Sequence, residues 1–173
     1  MTTSIEPRLV GEGTQWTLIL ERSLNHSPEK VWEALIEPDH LVNWAPFLPD
    51  RALTSVGPMK LTMLGVNESS VLDSQIQEIE PPKLLVFNWG EDILRWELSG
   101  ESTTRLVLKH RFAELKEAPS YAAGWHLCLD ALGSALRGEV KPSVVGDAAL
   151  DHGWQELYEH YSRQLVNNVD SKR

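Results

Sequence analysis

His110 is the first residue with an obvious chemical use. It keeps the phase of Leu106 and Leu108 along an alternating stretch and so points where they point. There an imidazole can bond to a ligand oxygen or move a proton, although a core histidine with satisfied nitrogens explains the same letters. Arg22 shares the parity of Leu18 and Leu20, which reads either as a cation at the end of a pocket or as a strand-end arginine emerging into solvent. His152, Glu156 and His160 recur every fourth position and would share one face of the last helix, a spacing able to hold a divalent ion. No further ligand is identifiable on a strand or loop, so this reads as a solvated face and no metal is expected. His126 and Cys128 stand two apart on a helix and point in different directions, so they make no nucleophile pair. There is no GxSxG elbow and no phosphate-cradling glycine loop. Glu29, Glu33 and Glu37 read as a charge ladder along a helix face. No catalytic residue is assigned, and no cofactor is implied.

The stronger signal is aromatic. Seven tryptophans stand against three Phe and three Tyr, and side chains that large are committed to a core, a pocket wall or an interface. The residues expected to line an internal pocket are Trp44 and Phe47 at its mouth, Met59 and Met63 on one strand, Phe87, Trp89, Trp96 and His110 on others, and Trp125 and Leu129 on a helix. Flat aromatic walls with adaptable methionines suit an apolar ligand. The competing reading is that these side chains simply fill the core.

Those residues must be positioned by the elements that carry them. At 173 residues, with 42% hydrophobic and 24% charged, the chain has the length and apolar content of one domain with one core. Trp16, Leu18, Leu20 and Leu24 alternate as a half-buried strand, with a tail before it to about Gly13. Ser27-Pro28-Glu29 opens a short helix carrying Val31, Trp32, Leu35 and Ile36, which Pro38 stops. A second helical piece runs from Asp39 to Trp44. Pro46 and Pro49 then predict a stiff loop. Five further strands follow around Met59–Met63, Val71–Ile79, Leu85–Trp89, Leu94–Leu98 and Leu106–Leu108. The separators, among them Gly65-Val66-Asn67, are too short for crossover helices, so the strands should pair antiparallel. Tyr121, Trp125, Cys128, Leu129, Leu132 and Leu136 form one helical stripe. A helix of about 18 residues rises roughly 27 Å, enough to cross a small sheet. Gly138 to Gly146, with Pro142, reads as a loop, and a last helix carries Trp154, Leu157, Tyr158, Tyr161 and Leu165 on one side. The expectation is a single α+β domain over residues 1–173, with a core at about 14–138, a six-stranded curved antiparallel sheet around the long helix, and a helical extension at about 147–167.

This order resembles the helix-grip fold of START-like, birch-pollen-allergen-like proteins. The wording Leu20-Glu21-Arg22-Ser23-Leu24, Ser27-Pro28-Glu29-Lys30-Val31-Trp32, Trp44, Glu80-Pro81-Pro82-Lys83-Leu84-Leu85-Val86-Phe87-Asn88-Trp89, Thr104-Arg105-Leu106-Val107-Leu108-Lys109-His110 and Gly124-Trp125-His126-Leu127-Cys128-Leu129-Asp130 narrows it. It is similar to the bacterial SRPBCC proteins named after the activator of heat-shock-protein-90 ATPase. The resemblance covers about residues 14–138. It implies the fold and a protein that binds hydrophobic small molecules or partner proteins, and it carries over no catalytic motif.

Composition excludes other classes. The net charge of −9 without clustered Lys and Arg argues against nucleic acid as a partner. No apolar run reaches the roughly 20 residues a membrane-spanning helix needs, and the first residues lack a signal-peptide pattern, so a cytoplasmic location and no membrane insertion are expected. Cys128 is the single cysteine and cannot form an internal disulfide. The functional expectation is a pocket for a small hydrophobic, aromatic, lipid-like or polyketide-like molecule. Two alternatives stand beside it. One is an interaction module, dimerising or meeting a chaperone through a sheet edge and the Trp154–Tyr158–Tyr161 helix. The other is a pocket cyclase or hydrolase using His110.

Overall fold

The alternation near the start of the chain turns Leu18, Leu20 and Leu24 to one side of a strand, where each is at most 1% exposed. The computed structural model describes residues 3–65, 70–139 and 143–170. In chain order its strands are β1 (Thr3–Glu12), β2 (Gln15–Leu24), β3 (Phe47–Pro49), β4 (Gly57–Met63), β5 (Val71–Glu80), β6 (Leu84–Trp89), β7 (Asp92–Gly100) and β8 (Thr104–Phe112). Its helices are α1 (Pro28–Ile36), α2 (Pro38–Leu41), α3 (Ala118–Leu136) and α4 (Trp154–Asp170). Val66 and Asn67 of one expected separator, and Pro142 of the expected loop, lie outside the described residues.

The strands form one open antiparallel sheet in the order β1-β2-β8-β7-β6-β5-β4-β3. Consecutive strands pair as hairpins except where β2 joins β8, Leu20 opposite Leu108. That pairing joins the β1–β2 hairpin to the last strand of the meander and leaves α1 and α2 to carry the chain from β2 across to β3 at the far edge. The local signals act as their chemistry dictates: Ser27 caps α1 by accepting from the Lys30 backbone N–H at 3.3 Å, and Pro28 sits in its first turn.

The strand count departs from the six expected, for two physical reasons. The segment before Gly13 is not a tail but the edge strand β1, paired with β2 from Thr3 opposite Ser23 to Glu12 opposite Gln15. Its apolar content is low, with Leu9 reaching the core. Gly11 stands opposite Trp16, and a Cβ there would meet the indole at 3.0 Å, so the glycine lets the ring lie across the strand. The expected proline loop contains β3, which pairs Phe47 with Met63 and Pro49 with Leu61. A proline is tolerated there because β3 is an edge, where a missing N–H costs no ladder bond. The second helix is also shorter than Asp39–Trp44. It ends at Leu41 because the chain turns to seat Trp44, whose indole N–H donates to the Ala34 carbonyl at 3.0 Å.

Helix α3 packs against β2, α1 and α4, and α4 also reaches β1. The stripe facing the sheet is as expected, but Ala123 and Leu127 are buried too, since α4 covers a second side of α3. The aromatic side of α4 is spent in that docking: Tyr161 is 5% exposed and Leu165 1%, while Trp154, Leu157 and Tyr158 pack half-buried on the same core. Among the described residues no helix is long and apolar enough to cross a membrane.

Candidate functional site

Trp125 is the hub of an aromatic cluster on the concave face. Its ring meets Trp89 and Trp96 edge-on, each at 5.6 Å between centroids, and Phe47 at 6.5 Å. Trp44 meets Trp96 at 5.7 Å, and Phe47 meets Phe87 at 5.7 Å. Edge-to-face pairs at these separations leave no room for a guest.

Beside Trp125, however, a cavity of about 290 Å³ remains. Tyr121, Gly124, Trp125 and Cys128 face it from one stripe of α3, with Ser120 beside them. Trp89 closes it from the end of β6 and Pro46 from the chain leading into β3. The far wall is a strap after α3, with Val144, Val145, Gly146 and Ala149, and Trp154 at the start of α4. The strap is seated by the buried Val145 and Ala149 side chains and by a close backbone approach in which a Cβ on Gly146 would collide with the Gly65 carbonyl, so only glycine permits that approach.

The polar groups near the cavity form one connected chain. Trp125 Nε1–H donates to His110 Nδ1 at 3.0 Å, which leaves the imidazole proton on Nε2, facing Asp92 Oδ2 at 2.8 Å. His110 is 0% exposed, and burial holds its imidazole below the usual range against the opposing pull of Asp92. The ring of Tyr121 lies 4.3 Å from that of His110. Burial first, and the Asp92 charge second, push the Tyr121 phenol up to about 12. The Cys128 thiol is likewise pushed up to about 12 by burial and stays a neutral wall atom.

The structure divides the ten sequence-nominated pocket residues. Trp89 and Trp125 line the cavity. Met63 stands just behind, its sulfur accepting the Trp89 indole N–H at 3.3 Å. Trp44 and Phe47 are not at a mouth: each is 1% exposed inside the core, drawn in by the edge-on contacts above. Met59, Phe87, Trp96 and Leu129 are core residues as well, and His110 is the polar link beneath the wall.

Other sequence candidates separate. Arg22 neither emerges nor reaches the cavity. It is 2% exposed, its Nε is 3.9 Å from Asp130 and has no hydrogen-bond partner, and Nη1 donates to the Glu21 carbonyl at 3.2 Å. His126 turns away from Cys128 to Tyr161, 2.8 Å from its hydroxyl, and to Asp130 at 3.3 Å. His152 does not share a helix face with Glu156 and His160. It ends a 3₁₀ turn, and Gly153, with φ of 85°, breaks the chain before α4. Among the described residues no His, Cys, Asp and Glu side chains group as a metal site.

What sequence reasoning missed is the half of the wall built from small residues and the strap. Tyr121, Gly124 and Cys128 fall four, one and three positions from Trp125, and the stripe through Tyr121 and Cys128 was legible. Val144 to Ala149 carries no periodic signal, and its place follows from contacts with Gly65 and with the core, both far away along the chain.

With this geometry established, relatives can be placed. The family model described as "Activator of Hsp90 ATPase homolog 1-like protein" matches residues 25–137. No curated protein matches the chain. Among solved structures, CalU16 from Micromonospora echinospora is similar with a TM-score of 0.71 at 18% identity, covering 99% of this chain and 98% of that one. The conserved protein EF2215 from Enterococcus faecalis gives 0.68 at 19%, covering 94% and 92%. DynU16, a protein of the dynemicin biosynthetic locus, gives 0.62 at 19%, covering 78% of this chain and 51% of that one. At these identities the likeness concerns the fold.

Proposed function

The chain belongs to the Activator of Hsp90 ATPase homolog 1-like family, and from that premise we propose that it binds a small, largely apolar molecule in the cavity between α3, the end of β6 and the strap. The observation that carries this is a 290 Å³ space walled by Trp89, Tyr121, Trp125 and Trp154 next to an otherwise tightly packed aromatic core. Leaving such a space empty forfeits dispersion contacts along its walls, which a shaped apolar guest restores. DynU16's place in a biosynthetic locus is compatible with small-molecule handling by this fold.

Two rival functions find less support. A pocket hydrolase or cyclase using His110 needs a free base there, and both nitrogens of His110 are occupied by Trp125 and Asp92. For an interaction module, the aromatic side of α4 is docked on the chain's own body at Tyr161 and Leu165, while its other contact, a sheet edge, is available at β1 and β3.

The test is titration of intrinsic tryptophan fluorescence with neutral aromatics, alongside native mass spectrometry of protein purified from its own host. A saturable change with micromolar affinity, about 8 kcal/mol, is expected in the wild type. It should disappear in Gly124→Leu, since a Cβ at Gly124 meets nothing within 4 Å and the leucine would occupy the cavity. Absence of any saturable signal in the wild type, or equal binding by the filled variant, would reject the pocket.

A further inference from the structure

On the premise that the cavity is a binding site, its aromatic walls narrow the class of ligand. Trp89 at the end of β6, Tyr121 and Trp125 on α3, and Trp154 at the start of α4 all line it, so ring surface meets a guest from three separate elements. The indole N–H groups of Trp89 and Trp125 are engaged elsewhere, on Met63 Sδ at 3.3 Å and His110 Nδ1 at 3.0 Å, and these two rings stand at 62° to each other. Tyr121 and Trp154 each have one face covered by a neighbour outside the cavity lining. The His110 ring lies 4.3 Å from Tyr121 at 35°, and Tyr158 stacks 5.1 Å from Trp154 at 18°. Each therefore keeps its second face for the space it lines.

Ring faces carry the negative end of the aromatic quadrupole, and a cation placed against several of them is attracted by each, more strongly once water is excluded. The charge behind the walls has the same preference. Asp92 is the register partner of Trp89 across the β6–β7 turn, and its Oδ2 lies 2.8 Å from His110 Nε2. Trp125 donates to the other imidazole nitrogen, so that nitrogen holds no proton, the ring is neutral and the carboxylate is not cancelled by it. The net charge of −9 draws cations toward the chain as a whole.

We propose that the pocket takes a largely apolar organic cation, a fully alkylated ammonium on a hydrocarbon or aromatic body, held by the rings of Trp89, Tyr121, Trp125 and Trp154 with Asp92 behind His110 as the counter-charge. An alkylated ammonium suits such walls better than a primary one, because it has no N–H to leave unpaired when it leaves water. Size agrees: a cavity of about 150 Å³ holds benzene, and this one is 290 Å³, room for a ring with a trialkylammonium group on it.

The experiment is isothermal titration of the full chain with phenyltrimethylammonium and tert-butylbenzene, which share one shape and differ in charge. We expect the cation to bind about 3- to 10-fold tighter at low salt. Trp154→Leu keeps apolar bulk and removes a ring; with folding checked by circular dichroism, it should narrow that ratio to within about twofold. Asp92→Asn, which keeps an acceptor for His110 Nε2–H, should narrow it as well. Gly124→Leu fills the cavity and should abolish binding of both probes. A ratio unchanged in Trp154→Leu overturns the proposal, and should that variant not fold, a ratio unchanged in Asp92→Asn does the same. Cation binding that persists in Gly124→Leu reports the acidic surface and also overturns it. Tert-butylbenzene bound as tightly as the cation defeats this inference alone; no binding of either probe defeats the pocket reading with it.

Discussion

Two neighbouring stretches of the concave face are equally aromatic, yet one is solid and the other hollow. Around Trp96 every large ring faces another large ring: Trp44 at 5.7 Å, Trp125 at 5.6 Å, both edge-on. Around the other side of Trp125 the rings of Trp89, Tyr121 and Trp154 face Gly124, Ser120, Gly146 and Ala149, and a cavity results. Indole count alone therefore does not make a pocket. Small residues opposite the indoles do, and those small residues lie on α3 and on a strap that no strand restrains.

This comparison can be broken experimentally. The largest effect is expected from truncation before Trp154, which removes the buried Tyr161 and Leu165. At about 1.5–3 kcal/mol for each side chain, the loss should be about 3–6 kcal/mol in urea unfolding, and the strap should lose its seat together with ligand binding. A truncated chain with an unchanged midpoint would show α4 to be an ornament. Next come the solid-side substitutions. Trp96→Ala and Trp125→Ala should each cost about 3–5 kcal/mol, with Trp125 at the upper end because His110 Nδ1 also loses its donor. Trp154→Ala, on the hollow side and only half-buried, should cost about 1 kcal/mol but weaken ligand binding severely. Equal destabilisation by all three would erase the distinction between the two stretches.

A subtler effect is electrostatic. Because burial lowers the His110 pKa in the folded state, the unfolded chain binds the proton more readily. Stability is therefore full above the unfolded value of about 6.5 and falls as pH drops from there toward the lower folded value. His26 is shifted the same way by burial and by nearby Lys30, so His110→Gln should flatten the slope of urea midpoint against pH below about 6.5 without abolishing it. A slope equal to wild type would remove His110 from the account. The smallest expected effect has the opposite sign. Gly124 sits in a helix with open space at its Cβ position, so Gly124→Ala should stabilise by up to about 1 kcal/mol while narrowing the cavity. Destabilisation would mean that the space is already filled by a neighbour.

Much of this molecule was legible because its signals are local. The period-two runs, the Ser27-Pro28 start of α1 and the stripe from Tyr121 to Leu136 each depend on neighbours within a turn or a hairpin, and each formed where it was read. The strands that escaped, β1 and β3, are edges. Each pairs with one neighbour only, and Pro49 and Gly11 disguise them in the sequence.

The candidate site was legible only in part, for the complementary reason. Periodicity told which residues face inward, strand alternation finding Trp89 and His110 and the helical stripe finding Trp125. Whether an inward ring meets another ring or a gap depends on what stands across from it, and that partner can be far along the chain, as Val144 and Ala149 are from Trp89. The sequence by itself determined the sheet, the long helix and a tryptophan-rich interior, since periodicity and propensity act over a few residues. Only the tertiary structure decided that Trp44 and Phe47 fill the core, that His110 is tied at both nitrogens, and that the space left over lies beneath the strap. Each of these is a meeting of side chains from separate elements, and packing distance is not written in spacing.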